Sequence, residues 1–191
     1  MDLYQVITFI ILAVYYTAYF AKLIGQKRKG IKTVQLGVGK KKKRTIVVEK
    51  ISYNLLVWIV ITEVGSILYG DWCRVPSVIR IAGMILATFG TVIFIISMVT
   101  MQDSWRAGIP ATDKTKLVTT GIYKISRNPA FLGFDLVFLG MMMVFFNPIL
   151  VFISLLGMVA IHFQILEEEK FLLSTFGEPY EEYRKKTRRY L

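Results

Sequence analysis

The sequence predicts an all-α fold: a multi-pass transmembrane helical bundle of about five spans, with a C-terminal helical hairpin and a cytoplasmic C-terminal helix. Three observations predict it. Hydrophobic residues make up 54% of the 191 positions and charged residues 19%. The apolar residues come in long blocks, and the charges, which sum to +11, sit between those blocks. A soluble domain of this composition would expose large apolar patches.

A bilayer core about 30 Å thick asks for roughly 20 mostly apolar residues per spanning helix. The stretches that meet or approach this are Leu3–Ile24, Ile51–Gly70, Val78–Met101, Ala130–Phe146 and Ile149–Leu166. The last two are short and are separated only by Asn147-Pro148, a turn tight enough to make an antiparallel helical hairpin. The chain therefore divides into an N-terminal transmembrane part, 1–101, with a basic loop over 25–50, and a second part, 102–191, holding a linker, the hairpin and a tail.

Charge sets the orientation. Gly25–Lys50 carries ten Lys/Arg, including Lys40-Lys41-Lys42-Lys43-Arg44. Asp71–Ser77 carries only Arg74, whereas 102–129 carries Arg106, Lys114, Lys116, Lys124 and Arg127, and the tail carries Lys170, Arg184, Lys185, Lys186, Arg188 and Arg189. With five spans the three basic segments share one side, which the positive-inside rule makes the cytoplasm, with the N-terminus outside. The 40–44 run is juxtamembrane and lacks interleaved aromatics, so it reads as a topology signal near anionic lipid and not as a nucleic-acid site. The first block lacks a basic start and a cleavage pattern and so does not read as a cleaved signal peptide.

One cysteine, Cys73, excludes an internal disulfide and beside Trp72 reads as structural; one histidine, His162, cannot build a zinc site, so no metal is expected. A carboxylate at bilayer depth costs about 2.5–3.5 kcal/mol and needs a partner or a job. Glu63, mid-way along the second span, reads as one end of a helix–helix hydrogen bond. Asp135, near the start of the fourth span, reads equally as a paired or a functional group.

From residue 101 onward the pattern becomes specific. Arg127-Asn128-Pro129 is a helix-start signal, with Asn128 as cap and Pro129 in the first turn. Free N–H groups there would attract a carboxylate, and Arg127 adds a fixed charge. Asn128, Phe131 and Asp135 share a helix face, and Gly133 lets something approach the backbone. Gln164 and Glu168 also share a face. Glu167-Glu168-Glu169 end the fifth span against both the helix dipole and the basic bias, so a cation, either Arg127 or a positively charged ligand, should compensate them. The hairpin returns the chain so that Asn128 and Glu168 meet at one membrane face.

Four pieces then follow in order: Leu117-Val118-Thr119-Thr120-Gly121-Ile122-Tyr123; Arg127-Asn128-Pro129-Ala130-Phe131-Leu132-Gly133; the Asn147-Pro148 turn; and Glu168-Glu169-Lys170-Phe171-Leu172 with Phe176-Gly177-Glu178-Pro179-Tyr180-Glu181-Glu182-Tyr183. Together they resemble the isoprenylcysteine carboxyl methyltransferase and phospholipid methyltransferase superfamily of integral membrane enzymes, over about Ser104 to Arg189. The resemblance implies S-adenosylmethionine-dependent methyl transfer to a lipophilic acceptor. It implies a cofactor site at Lys116, Leu117, Val118, Gly121 and Tyr123, then Asn128, Pro129, Ala130 and Phe131, and finally Glu168. Two departures stand out. The isoprenylcysteine enzymes have His-Pro-x-Tyr where this chain has Asn128-Pro129-Ala130-Phe131, and a substrate-contacting Arg where it has Gln164. A prenylcysteine carboxylate would find no charge partner at Gln164, which leaves a lipid amine, a thiol or another carboxylate open as acceptor.

Transfer from a sulfonium needs mainly orientation and exclusion of water. Glu168 would hold the cationic donor, and the Asn128 helix start with Arg127 its carboxylate. The acceptor would come laterally from the bilayer, with the hairpin as one wall. Glu169 and His162 are the base candidates, and Gln164 the residue facing the acceptor. Two rivals remain: a reductase resembling the sterol reductases, which would respond to NADPH, and a non-catalytic scaffold or small transporter. The lipid bilayer is the expected partner, no nucleic acid is expected, and oligomeric state is not encoded in any visible pattern.

Overall fold

The computed structural model describes residues 1–70, 74–110 and 115–191. Cys73 and Lys114, both weighed above, lie outside them. The described residues form an all-helical bundle: α1 (Leu3–Arg28), α2 (Lys43–Tyr69), α3 (Ser77–Met101), α4 (Pro129–Val144), α5 (Pro148–Phe176) and a short α6 (Glu178–Lys186). Four of them, α1, α2, α3 and α5, are long and apolar enough to cross a membrane. α4 differs from the expected fourth span. Its 16 residues rise about 24 Å, less than a hydrocarbon core. α5 differs in the opposite sense: its 29 residues rise about 44 Å and carry the helix ten residues past Leu166, through all three glutamates. α2 starts at Lys43, two turns before Ile51.

The local reasons are plain in the residues. Asp2 and Gln5 form a reciprocal capping box at the start of α1. Pro129 and Pro148 occupy the first turns of α4 and α5, where a missing N–H costs nothing. Asn147 Oδ1 accepts the Ile149 N–H at 2.9 Å and caps α5. Along α3 the hydroxyls of Thr91 and Ser97 donate to the carbonyls four residues back, at 2.9 and 2.7 Å, so no polar group there faces hydrocarbon unpaired.

Helix packing divides the molecule into two bodies. α4 runs antiparallel along α3, the tightest helix pair in the molecule. A Cβ at Gly83 would lie 2.7 Å from the Gly140 carbonyl oxygen, and one at Gly90 2.7 Å from that of Gly133. The two glycine pairs are seven residues apart on each helix, the spacing at which one helix face meets its neighbour repeatedly. What approaches the backbone at Gly133 is thus α3, which also carries α1. The second body is α5 against α2, where Gly157 receives the Ile59 side chain and Ser52 donates to the Ala160 carbonyl at 3.3 Å. The hairpin arms α4 and α5 touch each other sparsely: each prefers a different neighbour, so the expected hairpin opens into a wedge.

All three basic segments lie at one end of this bundle. There two loops cross as a roof: the Gln35 N–H donates to the Ala107 carbonyl at 2.8 Å, and the Ala107 N–H to that of Thr33 at 3.0 Å. Glu49, 1% exposed, pins both loops. It accepts the Gly37 N–H at 2.8 Å, the Ile109 N–H at 2.9 Å and the Lys41 ammonium at 2.6 Å. Lys41 is itself buried. One member of the polybasic run is therefore a structural counter-ion, and α2 begins early because Thr45 and Glu49 have partners on other elements. At mid-bundle Tyr16 donates to Glu63 Oε2 at 2.8 Å, an α1–α2 tie of the kind expected for that carboxyl.

Candidate active site

Between the two bodies, under the roof, lies a cavity of about 680 Å³, within the range of roughly 300–1,000 Å³ usual for small-molecule sites. Its walls come from α1, α2, α4 and α5 and from the linker around Tyr123. Most of the wall is aromatic or aliphatic; its polar groups gather toward the basic end.

The three successive glutamates of α5 explain that end. Consecutive helical residues point about 100° apart, and each carboxylate meets a different environment. Glu167 turns to the start of α2, accepting from Thr45 Oγ1 at 2.7 Å and from Lys170 Nζ at 2.8 Å, with Arg44 Nε 3.3 Å away. Glu169 turns to the start of α4 and the tail, with Arg127 Nη2 and Arg189 Nη2 each at 2.8 Å. Glu168 turns into the cavity, where its contact is the Gln164 amide, whose Nε2 donates to Oε1 at 3.0 Å. Among the described residues no cation pairs with Glu168, and Gln164 Oε1, buried on the same wall, has no hydrogen-bond partner.

The opposite wall is the start of α4. Ala130 and Phe131 line the cavity in the first turn, where backbone N–H groups have no carbonyl one turn back to bond. Asn128 precedes them and lines the cavity too, but it does not cap. Its backbone sits at φ −130°, ψ 49° and its amide donates to the Arg189 carbonyl at 3.2 Å. Tail residues 187–190 run beside Ser126 and Arg127, whose N–H donates to the Arg188 carbonyl at 3.0 Å. This return of the tail takes the side chain that sequence pattern assigned to the cap.

Seven of the expected site residues reach the wall: Tyr123, Arg127 and Asn128, then Ala130 and Phe131, then Gln164 and Glu168. Arg127 reaches it with its charge already engaged. Besides Glu169, its Nη1 donates to the carbonyls of Thr187 at 2.5 Å and Arg184 at 3.2 Å. Its guanidinium is a clamp on the tail, not a free carboxylate receptor. The rest stand off the wall. Glu169 sits between two guanidinium groups and faces the tail, away from the cavity where an acceptor would need a base. His162 Nδ1 lies 2.6 Å from the Tyr190 hydroxyl and faces the tail. Pro129 is buried behind the first turn. The Lys116 N–H donates to Ser104 Oγ at 3.2 Å, and neither it nor Leu117 and Val118 line the cavity. Gly121, at φ +57°, makes the tight turn that aims Tyr123 inward. Burial, with Tyr183 and Glu168 near it, pushes the Tyr123 phenol well above its ordinary range, so it stays neutral. Asp135 is also off the wall, and its Oδ1 has no hydrogen-bond partner among the described residues.

Sequence reasoning missed the tail and the roof. Arg189 and Tyr190 hold the α4/α5 side closed, and Glu49 with Lys41 holds the roof. One signal was present: Glu49 is the sole acid within a segment carrying ten Lys/Arg. The tyrosines Tyr15, Tyr16 and Tyr19 on α1, spaced for one helix face, form the deep wall.

A family profile described as phospholipid methyltransferase matches residues 78–179, more than half of the chain. The match begins at α3, earlier than the motifs noted above, and stops at Pro179, early in α6. No curated protein matches the chain.

Proposed function

The chain belongs to the phospholipid methyltransferase family, and from that premise we propose that it is an integral membrane methyltransferase that takes its methyl group from S-adenosylmethionine and passes it to a lipophilic acceptor. The observation that carries this reading is Glu168. It is the one glutamate of three that the fold leaves facing a cavity without a cationic partner among the described residues. A cation such as a sulfonium would supply the missing charge, and the adjacent unbonded Gln164 Oε1 would accept from an ammonium or hydroxyl. The first-turn N–H groups of Ala130 and Phe131 would receive a carboxylate across the same space. The cavity has room for a nucleoside-sized donor with an acceptor group beside it.

The bound donor would supply a methyl group already activated on positive sulfur. The protein's work is then to position and to keep water out. Glu168 and Gln164 fix one end of the donor, and the α4 start fixes the other. Tyr123, Phe131 and Trp105 supply flat apolar surface between them. Glu168 is the only carboxylate among the described wall residues. An acceptor arriving as a neutral amine needs no base before transfer, and one that must be deprotonated would use water at the mouth. Gln164 offers no positive charge and that of Arg127 is engaged, so neither of these two wall residues would pair with an acceptor carboxylate. With the basic end cytoplasmic, as the positive-inside rule has it, the site would open to the cytoplasmic supply of donor.

The test is binding of S-adenosylmethionine to purified protein in detergent. Wild type should bind at the micromolar level. Glu168→Ala should bind about ten- to a hundredfold more weakly, the loss expected when a charge-assisted contact of about 1.5–3 kcal/mol is removed. A folded wild-type protein that binds no S-adenosylmethionine, or binds NADPH in its place, would defeat this reading.

A further inference from the structure

The methyl donor gives the inside of the cavity a role and leaves the outside of its roof without one. Of the successive cations Lys40–Arg44, only Lys41 turns inward. Its side chain is 4% exposed, and its ammonium donates to Glu49 and to the Gln35 carbonyl, each at 2.6 Å. Lys40, Lys42, Lys43 and Arg44 are exposed, as are Lys27, Arg28 and Lys32 along the same loop. Arg44 shares Glu167 with Lys170, and Lys29 has Asp103. Among the described residues no acid pairs with Lys27, Arg28, Lys32, Lys40, Lys42 or Lys43. Like charges this close repel one another, so the surface calls for an anionic partner from outside the chain.

The height of this surface identifies the partner. Ile24 near the end of α1 is 53% exposed, and Val47 near the start of α2 47%. Exposed apolar side chains on helices long and apolar enough to cross a membrane face lipid. From Ile24 to Arg28, and from Val47 back to Lys43, is one helical turn, a rise of about 6 Å. The headgroup layer outside a hydrocarbon core of about 30 Å is itself about 5–7 Å deep. The unpaired cations therefore stand level with lipid headgroups. The run Lys40–Arg44 holds no aromatic side chain on which nucleic-acid bases would stack.

We propose that the outer face of the roof is a docking surface for anionic lipid headgroups of its own leaflet, and that docking holds the roof shut over the cavity. Lys41 couples the two faces. Its chain neighbours Lys40 and Lys42 point out to the headgroups, while its own ammonium holds Glu49. Glu49 in turn holds the Gly37 and Ile109 N–H groups, one from each crossing loop. Val34 and Leu36 of the first loop, with Gly108 and Ile109 of the second, form the ceiling of the cavity. Headgroups bound at Lys40, Lys42 and Lys43 therefore fix both sides of Lys41 and keep the two loops crossed. The first loop precedes residue 78, where the family match begins. The docking stands apart from the methyltransferase reading; its consequence, slower release of a bound methyl donor, rests on that reading.

The experiment places the full chain in nanodiscs of phosphatidylcholine, with or without phosphatidylglycerol. It follows hydrogen exchange at the Gln35, Gly37, Ala107 and Ile109 amides, whose hydrogen bonds hold the roof. Phosphatidylglycerol should slow exchange at these amides about five- to tenfold. The slowing should vanish when Lys40, Lys42 and Lys43 are all changed to glutamine. It should survive Lys124→Gln with Lys185→Gln, which removes exposed cations elsewhere at the same end. Equal exchange in the two nanodiscs would overturn the proposal, and so would a response kept by the triple variant. The same protection from inorganic phosphate or an RNA oligonucleotide in phosphatidylcholine alone would overturn the assignment to lipid. S-adenosylmethionine should leave the phosphatidylglycerol nanodiscs about fivefold more slowly; equal release beside protected amides would overturn closure over the site. Roof amides that respond to phosphatidylglycerol in a protein that binds no S-adenosylmethionine would remove the methyltransferase reading and leave the docking surface standing.

Discussion

The α4/α5 seam and the α1/α2 seam bound the same cavity and are closed by different means. At the α4/α5 seam, charged and amide groups join both helices to the returning tail. Glu169 binds Arg127 and Arg189, Asn128 binds the Arg189 carbonyl, and His162 meets Tyr190. At the α1/α2 seam the facing residues are mostly aromatic and aliphatic, and among the described residues the polar ties lie toward the end away from the roof. The difference follows from the solvent. Lipid tails are as apolar as leucine, so two helices in a bilayer gain little from pressing greasy side chains together. A seam there stays shut where small residues interlock, as at Gly83/Gly140 and Gly90/Gly133, or where polar groups find each other. Where neither is supplied, the seam stays open to lipid.

The strongest way to break this contrast is Glu169→Ala. It leaves Arg127, whose side chain is 8% exposed, without its counter-charge, and should cost about 3–5 kcal/mol, the usual loss on breaking a buried pair. The measurement is equilibrium unfolding in detergent, and a change under 1 kcal/mol would show that the tail does not close that seam. Next comes a matched pair of tyrosines, one from each seam. Tyr190→Phe removes the hydroxyl against His162, and Tyr16→Phe removes the one against Glu63; each should cost on the order of 1 kcal/mol in the same assay. They should differ in location: by hydrogen exchange, Tyr16→Phe should loosen α1 and α2, and Tyr190→Phe the tail. The smallest effect belongs to Val57→Ala at the mouth of the open seam. With its side chain already half in lipid, the loss should stay within about 0.5 kcal/mol. A loss as large as that of Tyr16→Phe would mean that the seam is packed shut.

Much of the architecture is legible in the residues alone. The proline rule placed the start of α4 at Pro129, and the Asn147-Pro148 turn put the next helix within one residue of its observed start. The four-residue spacing put Gln164 and Glu168 on one face, and that face proved to be the cavity wall. The surplus of acid at 167–169 raised the question of what compensates it. Two of the answers required partners from α2 and from the tail, and the third glutamate, Glu168, faces the cavity. The extent of α2 was misread for the same reason: Thr45 and Glu49 look like loop residues in a basic run until Glu167 and the Ile109 N–H are seen beside them.

Sequence by itself determined which segments are apolar enough to enter a membrane, where α4 begins, which side chains share a helix face, and the order of motifs that marks the family. Those properties repeat along a helix or lie within a few neighbouring residues. Tertiary structure alone decided that Arg127 clamps the tail, that Lys41 neutralises a buried Glu49, that Asn128 gives up its cap, and that the hairpin arms part to leave a cavity open on one flank. Each of these depends on a partner tens of residues away, and the strength of a buried charge or hydrogen bond is fixed by the partner it meets.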